Sequence, residues 1–125
     1  MLDTHVLAWW LANDGHLSRQ ATDTIADTSN EVWVSAVSAF ETATKHRLGK
    51  WPEARALANA FEAAAEAEGF QILDISARHA STAGLLPGLH RDPFDRLLAA
   101  QALLEGMSLV TTDRILEEFG IHTVW

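Results

Sequence analysis

Asp92-Pro93-Phe94-Asp95-Arg96-Leu97-Leu98-Ala99-Ala100-Gln101-Ala102-Leu103-Leu104-Glu105-Gly106-Met107-Ser108-Leu109-Val110-Thr111-Thr112-Asp113 is the run that decides the fold class. Asp-Pro opens a helix. The carboxylate caps free N–H groups, and proline suits the first helical position, where its missing N–H costs nothing. Asp95 then falls at the third helical position. Gly106 stops the helix, residues 108–111 read as a buried strand, and that strand runs straight into Asp113.

The same alternation extends outward in both directions. Upstream, residues 84–91 contain Gly84, Pro87 and Gly88 and read as a loop. Ser76 caps a helix to about residue 83, preceded by a strand over 71–75. Pro52 opens an alanine-rich helix that runs to about residue 68 and stops at Gly69. A helix over 38–48 ends at Gly49, and Val-Trp-Val within 31–35 is a short buried strand. Ser18 caps a helix to about residue 27. Asn13-Asp14-Gly15 breaks a first helix that carries Val6, Leu7, Trp10 and Leu11 at helical spacing. Met1-Leu2 is the stub of a strand running into Asp3. Downstream, a short helix over 113–119 leads to a last strand over 121–124. Strands alternating with helices predict an α/β fold whose mainly parallel sheet is covered on both faces. No internal repeat or linker interrupts residues 1–125, and one domain is expected.

Four acids fall where strands end or helices begin, in four separate segments: Asp3, Glu41, Asp95 and Asp113. In a parallel sheet such junctions lie along one edge, where ligands bind. Converging carboxylates repel, and a hard divalent cation with a preference for oxygen relieves that repulsion. Each acid alone has a structural explanation. Ser38-x-x-Glu41 matches a capping box, Asp92 is an N-cap, and Asp3 and Asp113 each suit the start of a helix. Caps do not account for all four together. Phosphodiester hydrolysis needs a hydroxide, a template for the phosphate and neutralisation of developing charge, which carboxylate-held Mg²⁺ or Mn²⁺ supplies. No HExxH, CxxC, Walker or GxGxxG pattern points elsewhere. Gly84-Leu85-Leu86-Pro87-Gly88 is a turn rather than a phosphate cradle. His5 and His90 are secondary candidates for contacting a substrate.

Composition narrows the class. The 125 residues are 48% apolar and include no cysteine, which excludes disulfides and thiolate metal sites. No charged-then-apolar leader and no run near the ~18 apolar residues of a membrane span are seen, and a cytoplasmic protein is expected. The formal charge of −8 argues against a general nucleic-acid coat. Basic residues are placed unevenly. Lys45, Arg47 and Lys50 cluster, and Arg91, Arg96 and Arg114 flank the acidic motifs as candidates for guiding a phosphate backbone. Trp9, Trp10 and Trp51 are candidates for an interface.

These motifs together resemble the PIN-domain family, and closely its VapC-type toxin ribonucleases from bacterial toxin–antitoxin pairs. Leu2-Asp3-Thr4-His5 resembles the opening motif. Val34-Ser35-Ala36-Val37-Ser38-Ala39-Phe40-Glu41, with Lys45, Leu48 and Gly49, resembles the second. His90 to Ala102 is similar to the third, and Leu109-Val110-Thr111-Thr112-Asp113 to the fourth. The resemblance covers nearly the whole chain. It implies a PIN-like three-layer α/β/α sandwich and an Mg²⁺- or Mn²⁺-dependent endoribonuclease toxin. Asp3, Glu41, Asp95 and Asp113 would be its catalytic, metal-site acids, with Asp92 mainly a cap. Family members usually carry more apolar residues before the first Asp than Met1-Leu2. The resemblance also implies an RNA substrate, a homodimer and a cognate antitoxin, whose inserted arginine would be one physically sensible inhibitor. The alternatives are a non-catalytic PIN-like binding module, whose signature would be a missing acid, and a metal-dependent phosphatase or DNA nuclease.

Overall fold

A computed structural model describes residues 1–88 and 90–125. Leu2 is the hub of the sheet. It makes parallel bridges to Val34 on one side and to Val110 on the other. Around it, β1 (Trp33–Ser35) pairs in parallel with β2 (Gln71–Leu73), and β3 (Leu109–Val110) with β4 (Thr123–Val124). The spatial order is therefore β2, β1, Leu2, β3, β4, all parallel. Chain progression reverses direction at Leu2, which makes the crevice beside it a topological switch point. The two-residue stub is held from both sides: Leu2 N–H donates to the Trp33 carbonyl at 2.8 Å and Val110 N–H to the Met1 carbonyl at 2.9 Å.

Alternating side chains supply the two faces. Leu2, Val34, Val110 and Val124 face one core, with Val6 and Leu7 from α1 (Thr4–Leu11), Ala21 and Ile25 from α2 (Arg19–Ala26), Leu57 from α4 (Arg55–Asn59), and Phe61 and Ala65 from α5 (Phe61–Ala67). Met1 and Leu109 face the other, with Val37 from α3 (Ala36–Arg47), Leu98, Ala99 and Ala102 from α7 (Pro93–Glu105), and Leu116 and Phe119. Helix α6 (Ala77–Leu85) packs on α7. This is the expected α/β/α sandwich. Burying a leucine as fully as Leu2 or Leu98 contributes roughly 1.5–3 kcal/mol.

Four local expectations change. The helix expected over 38–48 starts at Ala36, because Ser35 is its N-cap: Ser35 Oγ accepts from Val37 N–H at 2.9 Å. Ser38 lies inside the helix and is buried, so the capping-box reading of Ser38 and Glu41 fails. The alanine-rich helix is broken. A 3₁₀ turn, Pro52–Ala54, precedes α4, and Ala60 leaves helical geometry at φ −142°, ψ 41° before α5 begins. Burial of Leu57 and Phe61 in one core overrides local propensity there. Helix α6 takes in Gly84 and Leu85 from the expected loop, whose Leu89 lies outside the described residues. The segment after Asp113 is a 3₁₀ turn, Arg114–Phe119, ended by Gly120 at φ 79°. Asp92 behaves as expected, accepting from Phe94 N–H at 2.8 Å ahead of Pro93.

Candidate active site

Parallel pairing puts the C-terminal ends of all strands on one edge, and the four predicted acids arise there. Asp3 follows Leu2 directly. Asp113 lies three residues beyond β3. Glu41 is in the second turn of α3, which leaves β1 without a loop. Asp95 is in the first turn of α7. Three independent relationships link them. His90, Asp95 and Asp113 each offer an atom within 4.8 Å of the others. The Asp3 charge acts on Asp95, and the Glu41 charge acts on Asp3.

Side chains of neighbouring elements hold the acids. Thr111 Oγ1 donates to Asp3 Oδ2 at 2.6 Å and accepts from Asp113 N–H at 3.0 Å. One hydroxyl thus ties the first acid to the last across the switch point. Thr4 Oγ1 donates to Glu41 Oε2 at 2.6 Å and lies 2.9 Å from Ser38 Oγ, while Lys45 Nζ pairs with Glu41 Oε1 at 2.6 Å. His90 Nε2 lies 2.7 Å from Asp95 Oδ2. Asp3 and Asp113 also cap the segments they open, accepting through Oδ1 from His5 N–H and Ile115 N–H. The structural and functional readings of these two therefore coexist on one carboxylate.

Behind this layer, Gln101 is fully buried and joins three elements. Ser35 Oγ donates to its Oε1 at 2.5 Å, and its amide nitrogen Nε2 donates to the Asp74 carbonyl at 3.2 Å. This clamp fixes the start of α3, and so the position of Glu41, against α7.

Electrostatics mark Asp3 and Asp95 as uncompensated. Burial raises the Asp3 carboxyl above its ordinary range, and the Glu41 charge adds to the effect, against the hydrogen bond from Thr111. Asp95 is pushed up to about 6, first by burial and then by the charges of Asp92 and Asp3, against the hydrogen bond from His90. Two carboxylates that resist ionisation when alone fit a hard divalent cation, which would favour their ionised form.

The predicted basic residues divide. Arg91 and Arg114 are exposed near the acids in the chain. Arg96 is a correction. Its Nε, Nη1 and Nη2 donate to the carbonyls of Ala83 at 2.9 Å, His90 at 2.8 Å and Leu86 at 2.5 Å, and its guanidinium lies 5.5 Å from the Phe119 ring centroid. It pins the loop before α7 instead of facing solvent. Lys45 belongs to the site, whereas Arg47 and Lys50 are exposed. Thr111, Thr4 and Gln101 went unread in the sequence as site residues. Thr111, in a Leu-Val-Thr-Thr-Asp run, and Thr4, beside the first acid, are signals that adjacency to an acid at a strand end could have flagged. Gln101 offered none.

The tryptophans are half-buried. His5 stacks on Trp51 at 4.9 Å and 17°, with Lys45 Nζ 6.0 Å from that ring. Trp9 and Trp51 border an apolar groove of about 730 Å³ that continues along Leu11, Leu57 and Ala64. Trp10 instead donates to Glu68 and packs beside Phe70. A second apolar feature is Phe40, 63% exposed on α3 and packed against Phe94 of α7.

The PIN domain model matches residues 1–121. The chain is 35% identical over 115 residues to Ribonuclease VapC22 of Mycobacterium tuberculosis, which covers 91% of this chain and 86% of that protein. A solved structure described as VapBC2 from Rickettsia felis bound to a DNA fragment from their promoter matches with a TM-score of 0.68 at 18% identity. That match spans 98% of this chain and 95% of the other. At that identity the likeness speaks to the fold.

Proposed function

We propose, since the chain belongs to the PIN-domain family, that it is a metal-dependent endoribonuclease acting as the toxin of a toxin–antitoxin pair. The observation that carries this reading is that Asp3, Glu41, Asp95 and Asp113 come from four segments to one sheet edge, with Thr111 joining Asp3 to Asp113, Thr4 holding Glu41 and His90 meeting Asp95. Asp3, Asp95 and Asp113 would hold Mg²⁺ or Mn²⁺, with Glu41 beside Asp3. When bound, such an ion supplies charge neutralisation at the scissile phosphate and a water acidified enough to attack it.

The remaining work belongs to the chain. Thr111 holds Asp3 and Asp113 in register. Lys45 and Thr4 hold both Glu41 oxygens, so this buried acid keeps one orientation. Arg91 and Arg114, exposed and close in sequence to the acids, would meet the phosphates of an arriving RNA. The curated relative is a ribonuclease by name, which favours RNA over DNA as the substrate. A full set of acids favours an enzyme over a binding module.

A cognate antitoxin is the expected partner, in keeping with the VapBC2 fold likeness. The apolar groove bordered by Trp9 and Trp51 is the surface offered to its apolar segment. Phe40 and Phe94 are the surface offered to a second copy of the chain. No described helix is long and apolar enough to cross a membrane.

The test is cleavage of a structured RNA with Mg²⁺, with Mn²⁺ and with chelator, using Asp3→Asn as control. Metal-dependent cleavage lost in Asp3→Asn is expected. Cleavage that persists in chelator, or in Asp3→Asn, would overturn the reading.

A further inference from the structure

We infer that His90 is a nitrogen ligand in the proposed metal site, and that it biases the site toward Mn²⁺ over Mg²⁺. The inference rests on the metal-dependent reading above and deepens it. Three features of the structure carry it.

The first is proximity. His90 Nε2 lies 2.7 Å from Asp95 Oδ2, and these two residues and Asp113 present their donor atoms within 4.8 Å of one another. Adjacent ligand atoms on an ion with bonds of ~2.1 Å lie ~3 Å apart at right angles. The His90–Asp95 spacing therefore suits two neighbouring ligands as well as a shared proton. The second is orientation. His90 turns Nε2 onto the Asp95 carboxylate, and Asp95 itself lies in the cluster with Asp113.

The third is that this ring is held in place. Arg96 Nη1 takes the His90 carbonyl at 2.8 Å, and its other nitrogens take the carbonyls of Ala83 and Leu86. The Phe119 ring meets the imidazole edge-on at 6.3 Å and the Arg96 guanidinium at 5.5 Å. The His90 side chain is only 18% exposed. A loop fastened this way from α7 places His90 reproducibly beside an acid of the same helix. A histidine serving only to offset surface charge would not require three backbone anchors and an aromatic wall.

The chemical consequence follows from ligand type. Carboxylates and water suit Mg²⁺ and Mn²⁺ alike, whereas an imidazole nitrogen adds affinity for first-row transition ions over Mg²⁺. With His90 in the set, the site becomes a mixed nitrogen–oxygen site.

The experiment is a pulsed-EPR measurement of nitrogen coupling to bound Mn²⁺, alongside Mn²⁺ and Mg²⁺ affinities, on the full chain. The samples are wild type, His90→Gln and His5→Gln. Directly coordinated imidazole coupling is expected in the wild type and in His5→Gln, and its loss is expected in His90→Gln. Mn²⁺ affinity should fall about tenfold in His90→Gln, with Mg²⁺ affinity falling less. Circular dichroism checks that His90→Gln is folded, and the wild-type spectrum alone already decides whether any imidazole is bound. Mn²⁺ binding without nitrogen coupling, or coupling lost in His5→Gln and kept in His90→Gln, overturns the assignment while the metal site stands. Failure of the wild type to bind Mn²⁺ overturns both.

Discussion

Thr111 Oγ1 donates to Asp3 Oδ2 at 2.6 Å across 108 positions of sequence, and the same oxygen receives the Asp113 N–H. The first of these bonds crosses the point where the strand order reverses. Thr111→Val keeps the shape but removes a buried donor to a carboxylate and orphans an N–H. We expect a loss of roughly 1–3 kcal/mol and a large drop in RNA cleavage, read by urea unfolding and by a cleavage assay. Thr111→Ser should restore most of both. Equal activity in the valine and serine variants would remove Thr111 from the site.

Asp95→Asn and Asp3→Asn should abolish cleavage with the fold intact. Each keeps its volume and loses a charge whose burial is unfavourable. In the absence of metal, Asp95→Asn should melt no lower than wild type, and Mg²⁺ or Mn²⁺ should raise its melting temperature less than that of wild type. A lower metal-free melting temperature together with full cleavage would contradict the assignment.

Stability of the metal-free protein should rise as pH falls from about 6 to about 5, below the range in which the buried Met1 amine, lowered to about 6, pulls the other way. The sign follows from the shift. Asp95 is pushed up to about 6 from an ordinary 3.8 and Asp3 is raised as well, so the folded state binds protons over a range where the unfolded chain has released them. Discounted for partial solvation, the Asp95 gain is on the order of 1–2 kcal/mol. Saturating Mn²⁺ should flatten or invert the trend, because protons then compete with the ion. Thermal melts across this range, with and without Mn²⁺, measure it.

Asp92→Ala tests the division of labour within Asp92-Pro93-Phe94-Asp95. Asp92 accepts from Phe94 N–H at 2.8 Å and is exposed. Its loss should cost roughly 0.5–2 kcal/mol and leave cleavage largely intact. Inactivity without destabilisation would move the catalytic role from Asp95 to Asp92.

The arginines should separate into two kinds. Arg91→Ala and Arg114→Ala should weaken RNA binding and reduce its salt slope by about 0.7 each, as expected for a lost single-strand phosphate contact. Arg96→Ala should instead destabilise the fold by on the order of 2–4 kcal/mol, since three carbonyls lose a charged donor. Arg55→Ala, on α4, is the control. Salt-titrated binding and melting curves distinguish the two kinds, and a stable Arg96→Ala with only an RNA defect would return Arg96 to the rim.

By itself, the sequence determined the alternation of strands and helices, the parallel sheet, the cap at Asp92 and the three positions, Asp3, Asp95 and Asp113, where acids meet strand or helix ends. Those features follow from short-range physics: side-chain periodicity, proline and glycine stereochemistry, and the capping of free N–H groups. Only the tertiary structure decided the rest. It moved the α3 cap from Ser38 to Ser35, because Ser35 bonds Gln101 across to α7, and so removed the local explanation of Glu41. It broke the alanine-rich helix at Ala60, where burial outweighs propensity. It turned Arg96 inward onto three carbonyls, folded His90 back onto Asp95, and brought Thr111 against Asp3 across the sheet. Hydrogen bonds between residues far apart in sequence leave no periodic trace, so which partner holds which carboxylate is settled when the two halves of the sheet close around Leu2.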